Sequence, residues 1–280
     1  MNDLAVDRAA RAIATADALL IGAGAGMGVD SGLPDFRGND GFWRAYPPYQ
    51  RLGLDFVALA SPHWFAEDPT LAWGFYGHRM GLYRQTSPHE GFSILRRWTS
   101  SAREGSFVFT SNVDGQFQRA GFAPEAIVEV HGSFDGMQCI DECGVGIFAG
   151  GSFHVEIDPK SMRAIHPLPS CPQCGALARP NILMFGDWAW ESARTDLQMC
   201  RLNNWIESLD GARLVVIESG AGKAVPTVRI TCENIARQKR GILVRINPRE
   251  PDVPAGHVSL PMGALNALRA LDARLNALAS

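Results

Sequence analysis

The chain of 280 residues has no apolar run long enough to cross a bilayer. Its longest nearly apolar stretch, Ala18 to Val29, is about half of a membrane span and is full of glycine. An excess of either charge is also missing. The formal net charge is −3 and the isoelectric point is near 6.2, so nothing electrostatic points to nucleic acid or an anionic membrane as partner. The opening residues, MNDLAVDRAARAIATADALL, carry early acids and no basic segment leading an apolar one, so no secretion signal is expected. Six cysteines are too few for a disulfide scaffold in a chain of this length. These absences predict a protein of a reducing compartment, the cytoplasm, with neither a nucleic-acid nor a membrane partner. Internal repeats and low-complexity linkers are missing too.

What is present is a core-forming composition. Hydrophobic residues make up 46%, and 14 Phe, 7 Trp and 4 Tyr can bury enough surface to exclude disorder as the main state. Short apolar runs at Ala18–Ala23, Phe107–Thr110, Arg213–Ile217 and Gly241–Ile246 read as buried parallel strands. Helical patterns at Leu4–Thr15, Thr227–Lys239 and Ala264–Ala279 alternate with them, which predicts right-handed βαβ units. Two stretches break the rhythm. Residues 39–84 are rich in Trp, Tyr, Phe and Pro and predict a helical insertion. Residues 134–179 are rich in glycine, contain two close cysteine pairs and predict a hairpin around Phe153–Ile165. The expected fold is α/β, a Rossmann-like doubly wound parallel sheet built from residues 1–38, 85–133 and 180–280. The two insertions form a smaller lobe, helical and zinc-binding, and the cleft between lobes is the default site.

In an open parallel sheet, ligands bind beyond the carboxyl ends of the strands. After the first strand comes Gly22-Ala23-Gly24-Ala25-Gly26-Met27-Gly28, and after the second Ser111-Asn112-Val113-Asp114. The third is followed by Ser219-Gly220-Ala221-Gly222 and the fourth by Asn247 and Pro248. The first loop fits G-x-G-x-x-G in no frame, since Met27 or Val29 stands at the third glycine, which disfavours an ordinary dehydrogenase. Its glycines still let backbone approach a pyrophosphate closely.

Cys171-Pro172-Gln173-Cys174-Gly175 reads as half of a zinc knuckle, two thiolates on a tight turn. Cys139 and Cys143 lie within the C-x₂₋₄-C spacing for tetrahedral zinc, and the 27-residue gap to Cys171 accommodates a hairpin. Four thiolates close the coordination sphere, so such a zinc is structural. Cys200 and Cys232 stand alone and read as small core residues.

At this point the sequence resembles the sirtuin family, the NAD-dependent protein deacylases. Gly24-Ala25-Gly26 through Gly32-Leu33-Pro34-Asp35-Phe36-Arg37-Gly38 is similar to that family's GAG…SGIPDFRG signature. Thr110-Ser111-Asn112-Val113-Asp114-Gly115 is similar to its TQNID segment, His131-Gly132-Ser133 to its histidine motif, and Arg179 through Asp187 to RPxVVxFGE. The motifs keep order and spacing from about Leu19 to Asn247.

The resemblance implies NAD as cofactor and an acyl-lysine protein or peptide as substrate. It implies that Asp35, Phe36 and Arg37 lie on a cofactor loop, with Gly24, Ala25, Gly26, Ser111, Ser219, Gly220 and Asn247 also at the dinucleotide. Asn112 and Asp114 would contact the nicotinamide and ribose side, and His131 would be the general base. A substrate peptide would add as a strand along Met184–Asp187, with Ile182, Phe185 and Gly186 at the substrate. Tyr76 and Arg79 resemble the Tyr-x-x-Arg pair of members that remove acidic acyl groups; at i and i+3 they share one helix face. The chain departs from the family pattern at Gly28, Ser111 and Phe92, and at Ser219-Gly220-Ala221, where the family has GTS. The expected activity is NAD-dependent removal of acyl groups from lysine, giving nicotinamide and 2′-O-acyl-ADP-ribose. ADP-ribosyl transfer, NAD hydrolysis and a non-catalytic NAD or ADP-ribose sensor stand as alternatives.

Overall fold

The computed structural model describes residues 3–34, 42–43 and 46–279. Six strands pair in parallel: β1 (Ala18–Ala23), β2 (Ser106–Thr110), β3 (Ile127–Glu129), β7 (Leu214–Ser219), β8 (Ile242–Ile246) and β9 (Val258–Leu260). Their order is β3-β2-β1-β7-β8-β9, so the chain leaves the centre in one direction and later returns to build outward in the other. Every residue of β1 and β7 is buried, because helices cover both faces. Leu19, Ile21, Val215 and Ile217 pack with the helices Asp3–Ala14, Glu90–Ser100 and Ala264–Ala279. Leu20, Phe109, Val216 and Leu243 point the other way, onto Ala193–Ser208 and Thr227–Gln238. The period-2 alternation of the pleat thus makes two cores from one set of apolar runs.

The smaller lobe has a different construction. β4 (Gly132–Cys139), β5 (Phe148–Ala149) and β6 (Ala178–Ile182) form an antiparallel sheet in the order β5-β4-β6. β4 and β6 run from Gly132↔Ile182 to Cys139↔Ala178, with a register shift between Ser133 and Met137. Against them lies the helix Pro69–Gln85, started by Pro69 and by the Asp68 carboxylate, which accepts from Leu71 N at 3.1 Å. Phe42, Tyr46, Tyr49, Trp73, Phe75, Tyr76 and Phe134 fill the interior of this lobe.

The four parallel strands that the sequence predicts, now β1, β2, β7 and β8, lie within two residues of expectation. The expected hairpin forms, but short: one antiparallel bridge, Ile157↔Ala164, joins its arms, with Asp158 N donating to Arg163 O and Ile165 N to Glu156 O. An Asp158-centred turn takes up the tip, its carboxylate accepting from Lys160 N and Ser161 N, and leaves little chain to pair. The pattern also missed β3, β4, β6 and β9. β4 contains two glycines and an aspartate, and β6 contains Arg179, Pro180 and Asn181, all poor strand signals.

Candidate active site

β1 and β7 are neighbours at the point where the strand order reverses, and their loops touch backbone to backbone. Gly24 N donates to Ser219 O at 3.0 Å, Gly26 N to Gly220 O at 3.1 Å, and Gly220 N to Ile246 O at 3.0 Å. Gly220 has φ +66°, and a Cβ there would sit 2.4 Å from the Gly26 carbonyl carbon, so a side chain is excluded by both conformation and space. Two amides tie the neighbouring strand ends in: Asn112 Nδ2 donates to Gly24 O at 3.0 Å and Asn247 Nδ2 to Ala221 O at 2.8 Å. Ser219 is buried, and its hydroxyl has no hydrogen-bond partner among the described residues. A side-chain-free cradle with one orphaned hydroxyl fits a dinucleotide's pyrophosphate and ribose. Of the residues expected at the cofactor, Asp35, Phe36 and Arg37 lie outside the described residues.

The second strand end supplies an acid and faces a base. Asp114 Oδ1 accepts from Gln116 N at 2.9 Å, and a Cβ on Gly28 would come within 3.6 Å of Oδ2. Burial pushes this carboxyl up to about 6, while the Gln116 N–H and the Arg119 charge pull it the other way. His131 stands directly before β4. Gly132 follows it at φ +76°, where a Cβ would meet Asn181 O at 2.0 Å, so the turn that presents the imidazole requires glycine. Leu183 N donates to His131 O at 3.0 Å and fixes the backbone. Burial holds the imidazole below its ordinary pKa, partly opposed by a hydrogen bond with the Ser111 backbone. It is therefore mainly neutral at pH 7, as a base must be.

Tyr76 and Arg79 are both buried, so Arg79 is not a solvated helix charge. Its guanidinium lies 5.1–5.9 Å from the ring centroids of Phe56, Phe75, Tyr76, Tyr83 and Phe134. Nε and Nη2 donate to Tyr83 Oη at 3.1 and 2.8 Å. The sequence reading missed Tyr83; its i+4 spacing from Arg79 was the available signal. The expected substrate segment is held at both ends. Arg179 grips Asp187 through two bonds of 2.7 and 2.8 Å, both groups buried, and Phe185 N donates to Ala60 O at 2.9 Å. Phe185 is exposed and Ile182 buried at the end of β6. Gln116 was also missed: it is wholly buried, accepts from Ser31 Oγ at 3.1 Å, and its Nε2 has no partner among the described residues.

The four cysteines converge. All four sulfurs of Cys139, Cys143, Cys171 and Cys174 lie within 4.8 Å of one another, with two pairs at 3.6 Å. A zinc tetrahedron with bonds of about 2.3 Å has edges of about 3.8 Å, so the donor set and spacing fit structural zinc. The extra residue in the first pair is absorbed by Glu142 at φ +47°. No helix among the described residues is long and apolar enough to cross a membrane.

Comparison with known proteins agrees with this geometry. A family model described as the Sir2 family matches residues 24–207. A protein named NAD-dependent protein deacylase 1, from Archaeoglobus fulgidus, is 31% identical over 254 residues, covering 89% of each chain. An NAD-dependent protein deacylase from Thermus thermophilus is 30% identical over 257 residues, 89% of this chain and 86% of its own. A solved Sir2 homologue in complex with NAD superposes with a TM-score of 0.71 at 28% identity, over 98% of this chain and 94% of its own. A mutant Sir2 homologue in complex with ADP-ribose gives 0.72 at 28% identity, over 97% of both chains. By its ordered motifs, its sheet and its kinship, the chain belongs to the Sir2 family.

Proposed function

We propose that this chain removes acyl groups from protein lysine and passes them to the ADP-ribose part of NAD, consuming one water and releasing nicotinamide, free lysine and 2′-O-acyl-ADP-ribose. The enzyme class, NAD-dependent protein deacylase, is that of relatives matched over most of their length. The observation that carries the finer reading is the junction of a backbone cradle at Gly24, Ala25, Gly26 and Gly220 with Asp114 and a half-buried His131 whose pKa is lowered by burial. When bound, NAD supplies an electrophilic ribosyl carbon with nicotinamide as its leaving group. Asn112 and Asp114 hold the nicotinamide and ribose side, while Ser111, Ser219 and Asn247 serve the rest of the dinucleotide. By the family resemblance, Asp35, Phe36 and Arg37 are its further contacts. Such positioning can supply roughly 7–11 kcal/mol of the barrier. His131 takes a proton from a ribose hydroxyl so that the acyl group can move to the sugar.

Substrate lysine enters beside Ile182, Phe185 and Gly186, its backbone pairing along 184–187. Tyr76 and Arg79 favour acyl tails that end in a carboxylate, such as succinyl or malonyl. A guanidinium in an apolar, ring-lined pocket binds a carboxylate far better than it binds a methyl group. The reading places the enzyme in the cytosol, where the four zinc thiols stay reduced.

Nicotinamide release tests this with acetyl-, succinyl- and unmodified-lysine peptides, on wild type, His131→Ala and Arg79→Met. Acyl-dependent release that drops about a hundredfold or more without His131 is expected. Arg79→Met should hurt succinyl turnover far more than acetyl. Release indifferent to acylation would replace the reading with NAD hydrolysis or ADP-ribosyl transfer, and NAD binding without release with a sensor.

A further inference from the structure

On the small lobe, a depression of about 290 Å³ lies between knuckle residues 142–146 and the segment 188–192 that follows the substrate loop. Two indoles line it. Trp188 is 98% exposed, although the turn before it is pinned by the buried Arg179–Asp187 pair. Trp190 also faces the depression; its Nε1 is shielded from solvent and has no acceptor among the described residues. The floor is rigid: Gln138 of β4 donates to Ala189 O at 2.7 Å and accepts from Glu191 N at 3.2 Å. Asn181 Nδ2 braces both, donating to Gln138 Oε1 and Glu191 O at 2.9 Å each. The lining includes Glu142 and Glu191 and no lysine or arginine.

A large aromatic left in water above a braced backbone costs free energy that a ligand covering it can recover. The acidic rim selects that ligand's charge. The depression continues directly from the 183–187 segment, where Leu183 and Phe185 are also exposed.

We infer that this shelf is an exosite for an arginine- or lysine-bearing stretch of the substrate protein. The cation lies on the Trp188 face and is neutralised by Glu142. The inference rests on the deacylase reading. Gln138 lies seven residues along the chain from His131, roughly 20 Å at the rise of a strand, so the basic residue stands about four to seven positions from the acyl-lysine. It is thus a contact beyond the lysine channel and its immediate flanks.

The test uses the full, zinc-loaded protein. Acetyl-lysine peptides carry Arg, Ala or Glu four to seven positions away on either side, with a shorter peptide lacking those positions as baseline. On one side, Arg should raise kcat/KM over Ala by roughly five- to tenfold through KM, fading with added salt, and Glu should lower it. Trp188→Ala and Glu142→Gln should each flatten that preference to under about twofold. Zinc content and turnover of the short peptide should stay unchanged in both variants. A flat panel in the wild type, or a preference that survives both substitutions, overturns the exosite while leaving the deacylase standing. If no acyl peptide is turned over, the deacylase reading fails separately. Fluorescence anisotropy of labelled, unmodified Arg and Ala peptides then decides the exosite: Trp188-dependent preference upholds it and equal affinity overturns it.

Discussion

The two lobes are stabilised in different ways, and the difference locates what catalysis depends on. The parallel sheet is sandwiched by helices on both faces, and its core is mostly aliphatic, with side chains contributed by every strand. The smaller lobe has a short antiparallel sheet, an aromatic interior and a four-sulfur cluster at one end. Yet β4 joins the lobes functionally. Its first residue follows His131 and its last is Cys139, so the base and a zinc ligand terminate the same strand. The lobe with the weaker sheet therefore holds the proposed base in place.

The sharpest way to break this contrast is to take the metal away. Structural zinc contributes about 10–16 kcal/mol in zinc-finger peptides, more than a three-stranded sheet supplies. Cys171→Ser, or chelation of the wild type, should release zinc and cut deacylation by about a hundredfold or more as β4 and His131 lose their frame. The parallel sheet should persist, read as retained helical circular dichroism and a remaining cooperative unfolding transition. A metal-free protein that keeps half its turnover would show that the aromatic cluster alone supports β4.

The converse experiment strikes the larger lobe at a crowded point of the cradle. Gly220→Ala puts a methyl 2.4 Å from the Gly26 backbone at φ +66°. Left-handed backbone costs roughly 1–2 kcal/mol and overpacking about 1–3 kcal/mol more. The melting temperature should fall by roughly 5–15 °C and NAD affinity with it, while zinc content stays at one per chain. An unchanged melting temperature would mean that the loops of β1 and β7 can separate freely, and the cradle would not be preformed.

These two experiments also mark what could be read in advance. Gly24, Gly26 and Gly220 were legible because strands end in apolar-to-glycine transitions, which local sequence records. The cysteine cluster was legible because metal spacing is a local property. β4 was not, since residues 132–139 are strand only through pairing with β6, and β6 itself carries Pro180. The burial of Arg79 could not be anticipated either. Five rings surround it, and Phe134 reaches it from the other insertion, 55 positions along the chain. Motif resemblance alone pointed to His131, whose turn carries no propensity signal of its own; it could not announce an indole left in water at Trp188.

The smallest effect tests the electrostatics of the cleft. Asp114 is half-buried and its carboxyl is pushed up to about 6 from an ordinary 3.8, chiefly by burial. A raised carboxyl pKa means that the folded chain prefers the protonated form. That preference supports the fold fully below pH 4 and is lost as the pH rises through about 6, which leaves a penalty at pH 7. Discounted for partial exposure, the penalty is roughly 1–2 kcal/mol. Asp114→Asn keeps an oxygen for Gln116 N but carries no charge. It should match the wild-type melting temperature at pH 4 and exceed it by roughly 2–6 °C at pH 7, while nicotinamide release falls at both. Stability lost at pH 7 relative to pH 4 would show that the ionised carboxylate is stabilised in the fold, and that the cleft around Gly28 is more polar than its geometry indicates. A gain in stability without loss of turnover would separate the two readings instead, keeping the buried charge and removing Asp114 from the nicotinamide side.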